Sequence, residues 1–197
     1  MRIDRNLNLV VPVDTDNGTI YVHSTPISRD VFKQYYLPIS KTFSAIYQEG
    51  LSVVAGPRIA AMMLETISRS LPSLSGQGSA WEGRDGVENG LLNEIKRLSN
   101  VVMPGDNGWT TLPLDDAIRQ KLLSQDDLDE VEGILVFFIC ASAMHLRREL
   151  NSILSGLTKM WGGQIVSSNS SAWATSLATS IETGNSGETA PTSSVTS

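Results

Sequence analysis

The chain has few of the residues on which thiol and metal chemistry depend. Of its 197 residues, Cys140 is the only cysteine, and His23 and His145 are the only histidines. A single cysteine excludes an internal disulfide and fits a reducing compartment. Cys140 lies inside an apolar run, residues 134–143, so we interpret it as a buried, small apolar residue.

Positive charge is also scarce. The 15 basic residues are outnumbered by 21 acidic ones, giving a formal net charge of -6, and no basic stripe is present. Such a balance argues against binding to nucleic acid. No apolar run approaches the roughly 20 residues that span a bilayer, and the first residues carry no apolar signal-peptide core. We therefore expect no membrane partner and a cytoplasmic protein.

The chain lacks the motifs of common catalytic and cofactor sites. Cys140 and His145 are five residues apart, which does not align them on one helix face. The glycines are not spaced as in a phosphate-binding loop, and a nucleophile elbow is missing. The acidic residues at 126–132 lack the pattern of a calcium loop and suit a solvated helix start. We predict a non-enzyme without cofactor or metal.

The first 27 residues predict a β-hairpin that packs on a helical body. Two β-rich runs, 7–13 and 19–23, flank an Asn17-Gly18 pair, and Asn-Gly supplies the positive φ that a tight turn requires. Ser28 is placed to cap the helix that follows.

Residues 28–162 predict a helical domain, because apolar residues recur there at intervals of three and four. The expected helices cover 29–49, 56–70, 87–100, 114–123 and about 125–161, and the first of them should kink or divide into two pieces at Pro38. The last is one long central helix that begins at a Ser124–Asp127 capping box. The expected fold class is therefore mainly α: the N-terminal hairpin, a compact bundle of about five helices, and a disordered C-terminal extension.

That extension covers residues 163–197. From Ser167 onwards, 16 of 31 residues are Ser or Thr, too polar to offset the entropy of ordering. Trp173, Leu177 and Ile181 are spaced four apart, so they would share one helix face if a partner induced folding. They are also compatible with a linker that contains a few apolar residues without a role.

Two further features are candidate contacts with another protein. Met62 and Met63 would give a helix an adaptable apolar surface, although methionines at helical spacing are usually core. Trp81 lies in a Gly- and Ser-rich segment, 71–86, expected to be a mobile loop. Its ring is a candidate contact, or it folds back onto the core.

Four stretches of the chain resemble the tail assembly chaperones of long-tailed, siphovirus-type bacteriophages. They are MRIDRNLNLVVPV at 1–13, IYVHSTPISR at 20–29, VFFICASAMH at 136–145 and TSLATSIETG at 175–184. The resemblance implies a non-virion factor of the host cytoplasm that binds and solubilises the tape measure protein and recruits tail tube subunits. In the lambda-like version a helical domain holds the tape measure protein and an extension attracts tube subunits, and a homo-oligomer is compatible with it.

Two other interpretations belong to different classes. The chain could be a structural component of the virion, such as a tail or head-tail connector protein. A less favoured interpretation is a small hydrolase that uses His145.

Overall fold

The computed structural model describes residues 7–16, 18–48, 50, 52–70, 87–106, 108–145 and 147–184. The strands are β1 (Asn8–Thr15), β2 (Gly18–Ser24), β3 (Ser99–Gly105), β4 (Gly108–Pro113) and β5 (Gln164–Val166). The helices are α1 (Arg29–Gln34), α2 (Tyr36–Gln48), α3 (Ser52–Ser70), the π-helical α4 (Val87–Leu92), α5 (Asn93–Arg97), α6 (Leu114–Arg119), α7 (Gln125–Met144), α8 (Arg147–Trp161) and α9 (Ser170–Gly184).

The strands form one antiparallel sheet in the order β4-β3-β2-β1-β5. Two tight hairpins build most of it. Thr15 pairs with Gly18 at the end of the first, and Gly105 pairs with Gly108 at the end of the second. Gly18 and Gly108 both have φ of 108°, a conformation that glycine adopts readily. The β1–β2 hairpin is therefore present as the sequence predicted.

Side chains on the two faces of the sheet enter different cores. Alternate residues of β1, β2 and β3, such as Leu9, Val22 and Val101, are buried in the main core together with the helices. The intervening residues Val10, Tyr21 and Val102 face the other side, where α9 packs. The molecule thus has three layers: helices α1 to α8, the sheet, and α9.

Helix α7 forms the centre of the main core. Its residues from Ile134 to Cys140 are all at most 2% exposed. The expected capping box is confirmed at its first turn, where the Asp127 backbone N–H donates to Ser124 Oγ (3.1 Å) and the Ser124 N–H donates to Asp127 Oδ2 (3.0 Å). The predicted cap of the first helix is also present, since Val31 N–H donates to Ser28 Oγ (3.3 Å).

The predicted mainly α fold class is wrong. The segment 99–113, expected to be the end of a helix and a loop, is a β-hairpin that pairs with β2 and extends the sheet. Part of the extension expected to be disordered is also structured, because 164–166 adds a strand to the edge of β1 and 170–184 is α9. Apolar groups of the sheet cover the apolar residues of this polar segment, a contribution that composition does not show.

The long central helix is wrong as well. The chain leaves helical geometry at His145 (φ -103°, ψ 157°), and α7 and α8 are separate helices. Neither proline nor glycine stands at this break, so it depends on packing. Pro57 lies inside α3 instead of starting it, and the first helix divides at Tyr35, which leaves Pro38 in the first turn of α2 where its missing N–H costs little.

Candidate protein-binding site

A concave surface lies between α3 and α7. It has a volume of about 700 Å³ and is called the acidic groove below. Its lining residues are Arg58, Ala61, Met62, Glu65, Ser68, Leu92, Asp126, Asp129, Glu130, Glu132 and Trp161.

A glycine allows close contact between α3 and α7 at one end of the acidic groove. A Cβ built at Gly133 would lie 2.5 Å from the carbonyl oxygen of Pro57, so α3 and α7 touch backbone to backbone there. The lining residues of α3 all follow Pro57, and those of α7 all precede Gly133. The groove therefore extends from this contact toward the first turn of α7.

The charge of the acidic groove is strongly negative. Its described lining contains five carboxylates and one cation, the guanidinium of Arg58. Lys96 lies beside it and binds Glu132 (Nζ to Oε1, 2.6 Å). Asp126, Asp129 and Glu130 are exposed along the α7 side. Carboxylates near a helix N-terminus are favoured by its dipole, and their exposure keeps their charge available to a ligand.

Apolar side chains adjoin these carboxylates. Met62 is 66% exposed and lines the groove, whereas its neighbour Met63 is half-buried against the main core. The other large apolar side chains found exposed in the described part of the chain are Tyr36, Leu37, Val54 and Met160. Of the predicted pair of methionines, Met62 is thus placed where a partner could touch it.

Trp173, a predicted contact residue, is covered by its own chain. It is 5% exposed and belongs to a cluster on the outer face of the sheet, named here the outer cluster. The cluster consists of Val10, Tyr21, Val102, Trp109, Val166, Trp173, Ala174 and Leu177. The Trp173 ring meets Tyr21 edge-on (centroids 4.9 Å apart), and Tyr21 in turn meets Trp109 (5.5 Å).

Of the remaining predicted contact residues, the structure describes the surroundings of Leu177 only. Leu177 is half-buried against the outer cluster. Trp81 and the side chain of Ile181 lie outside the described part of the molecule. The predicted stripe at 173 and 177 therefore faces the sheet of the same chain.

Two buried side chains fix the start of α9. Asn8 Nδ2 donates to the carbonyl oxygen of Ser168 (2.8 Å), and His23 Nε2 lies 2.9 Å from the same oxygen. Since a carbonyl only accepts, Nε2 must carry the proton of the neutral ring. Burial lowers the pKa of His23, and its bond to Ser168 opposes the shift only partly. The histidine is therefore held in its neutral form.

The surroundings of Cys140 and His145, the other two candidates for a chemical role, indicate that both residues are structural. Cys140 is buried, and burial raises the pKa of its thiol to about 12, so the nucleophilic thiolate is not formed near neutral pH. The His145 ring packs edge-on against Phe43 (centroids 4.7 Å apart), and its Nδ1 lies 3.2 Å from the Ala141 carbonyl oxygen. Within the described ranges, no three His, Cys, Asp or Glu side chains are grouped to hold a metal ion.

No helix of the described chain is long and apolar enough to cross a membrane. Comparison with protein-family models, with curated proteins and with solved structures found no match to this chain.

Proposed function

We propose that the chain is a tail assembly chaperone of a siphovirus-type bacteriophage. It acts in the host cytoplasm, binds and solubilises the tape measure protein, recruits tail tube subunits and is absent from the finished virion. The observation that carries the proposal is the resemblance of the four sequence stretches. Their described parts fall in β1, β2, the buried half of α7 and α9, the elements that build the two cores.

Two surfaces of the molecule support a role in binding other proteins. The acidic groove joins exposed carboxylates to the exposed Met62, and methionine adapts to irregular apolar partners. The outer cluster holds α9 by a small apolar contact centred on Trp173. If a tube subunit binds Trp173 and Leu177, it must compete with the sheet for them.

Copurification tests the recruitment step. The chain, carrying an affinity tag, is co-expressed with the tape measure and tube proteins of the phage that encodes it. We expect both to be retained in a wash that removes a control phage protein. Loss of both partners would contradict the proposal.

Mass spectrometry of purified virions separates the chaperone from a structural virion component. The chaperone is expected to be absent or present only in traces. A stoichiometric copy number in the particle would assign the chain to the structure of the tail or connector instead.

A further inference from the structure

We propose that the acidic groove binds a basic amphipathic helix of a partner protein. Apolar residues of that helix contact Ala61, Met62 and Leu92, and lysine or arginine residues on its flanks pair with the carboxylates of α7. The inference rests on the proposed function, and it adds the chemistry of the segment that is recognised and the surface that receives it.

The apolar part of the groove is formed by residues of three helices. Ala61, Met62 and Leu92 line it together with Trp161, so α3, α4 and α8 all contribute. Met62 is 66% exposed, so its side chain is accessible to a partner. Amphipathic helices bind in grooves of this kind by inserting apolar residues spaced three and four apart.

The negative charge of the acidic groove favours a positively charged partner. The exposed carboxylates Asp126, Asp129 and Glu130 face a described lining in which Arg58 is the one cation, so this side of the groove has a surplus of negative charge. Asp129 and Glu130 lie about one helical turn beyond Asp126 on the exposed side of α7, so cations spaced one turn apart on one flank of the bound helix could reach them. An acidic helix would be repelled from the same surface.

The exposed carboxylates of Asp126 and Asp129 contribute little to the stability of the fold. Gln125 donates to Asp129 (2.7 Å) on the exposed surface, and the first-turn cap of α7 uses Asp127, which does not line the groove. Exposed bonds of this type contribute little to stability. Asp126 and Asp129 can therefore be changed while the fold is retained.

The test uses a fluorescent peptide of about 18 residues with leucines at helical spacing i, i+3, i+4 and i+7 and lysines elsewhere. A second peptide carries glutamate in place of every lysine. Fluorescence anisotropy with the full chain should show binding of the basic peptide only. Its affinity should fall as salt is raised from about 0.05 M to 0.5 M, because salt screens exposed charges.

Two matched double variants test whether the peptide binds at the acidic groove. The double change Asp126→Lys and Asp129→Lys should weaken binding of the basic peptide about tenfold or more. Asp14→Lys with Asp115→Lys alters the net charge equally and should leave the affinity within about twofold. The control is close: Asp115 is in the first turn of α6 as Asp126 is in that of α7, and Asp14 accepts one exposed bond from Thr19 as Asp129 does from Gln125.

A third variant separates groove binding from simple charge attraction. Met62→Ser should weaken binding of the basic peptide several-fold without changing the net charge of the protein, since it removes exposed apolar surface from the groove. Equal affinity of the Met62→Ser protein would overturn the proposal, as would equal weakening by the control pair or displacement of the peptide by low concentrations of spermine. Circular dichroism checks that each variant is folded.

The outcome is distinguishable from failure of the proposed function. If the unaltered chain and the Asp126→Lys, Asp129→Lys variant solubilise the tape measure protein equally, the chaperone function stands and the groove assignment is overturned. If the variants change peptide binding as described while the tape measure protein stays insoluble, the groove assignment stands and the chaperone function fails.

Discussion

The indole ring of Trp173 lies edge-on against the phenol ring of Tyr21, at 4.9 Å between centroids and 71° between planes. This contact joins α9, near the end of the described chain, to the second strand of the sheet. Trp173 is buried although the residues around it are mostly Ser, Thr and Ala. A polar segment can thus be held in place by one aromatic residue and its surroundings.

Trp173→Ala should release α9 from the sheet. Truncation of a buried Trp commonly costs about 3–5 kcal/mol, which exceeds what an isolated 15-residue helix can supply. Hydrogen exchange of backbone amides in 170–177 should become fast, while amides of α7 stay protected. Ser171→Ala, an exposed change on the same helix, is the control. Unchanged protection in the Trp173→Ala protein would show that α9 is held by other contacts.

The attachment of α9 should weaken in mild acid. Burial lowers the pKa of His23 below its ordinary value of about 6.5, so the unfolded chain takes up a proton at a pH where the folded chain does not. The contribution of His23 to the free energy of unfolding is then constant above about pH 7.5 and declines as the pH falls below about 6.5. Thermal unfolding between pH 8 and 5 measures this decline.

His23→Gln is the control for the pH dependence. A glutamine amide can donate to the Ser168 carbonyl but does not titrate. The variant should lose most of the change between pH 7 and 5.5. A decline as steep as that of the unaltered protein would assign the dependence to other groups.

Gly133→Ala should destabilise the fold despite the higher helix propensity of alanine. The new Cβ would lie 2.5 Å from the Pro57 carbonyl oxygen, a backbone atom that can move only if α3 shifts. We expect a loss of about 1–3 kcal/mol in the free energy of unfolding, measured by chemical denaturation. Ser142→Ala on the same helix removes a buried hydroxyl without a partner in the described chain and should be neutral or stabilising. An equal response of the two variants would contradict a tight contact at Gly133.

Cys140 should react only after unfolding. Its thiol is buried and has a pKa of about 12, so both access and ionisation oppose modification. With excess iodoacetamide at pH 8, the native protein should be alkylated far more slowly than the protein in guanidinium chloride, as measured by intact mass. Similar rates would show that α7 opens readily.

Parts of the fold could be predicted because local residue chemistry determines them. Ser28 and the Ser124–Asp127 box marked two helix starts, and Asn17-Gly18 marked the first hairpin. The same signal was present at Asp106-Asn107-Gly108, which repeats Asp16-Asn17-Gly18, and it would have indicated the second hairpin. We instead predicted a helix that ends at Asn100 and no strand at 101–103, because a short apolar run does not distinguish a strand from a helix.

Other features depend on packing between distant residues. The break at His145 has no local signal, and β5 is a strand only because Ile165 pairs with Leu9. The acidic groove joins side chains of α3, α4, α7 and α8, so Met62 could be named from the sequence but the carboxylates opposite it could not. Trp173 and Leu177 were predicted to share a face, and they contact the outer cluster of the same chain.

Solubility of the tape measure protein is the most direct measurement of the proposed chaperone function. The tape measure protein is expressed alone, with this chain, and with an unrelated acidic protein of similar size, and its soluble fraction is measured after centrifugation. The proposal predicts that most of it becomes soluble only with this chain and elutes with it in size-exclusion chromatography. A tape measure protein that stays in the pellet, or that the unrelated protein solubilises equally well, would contradict the proposed function.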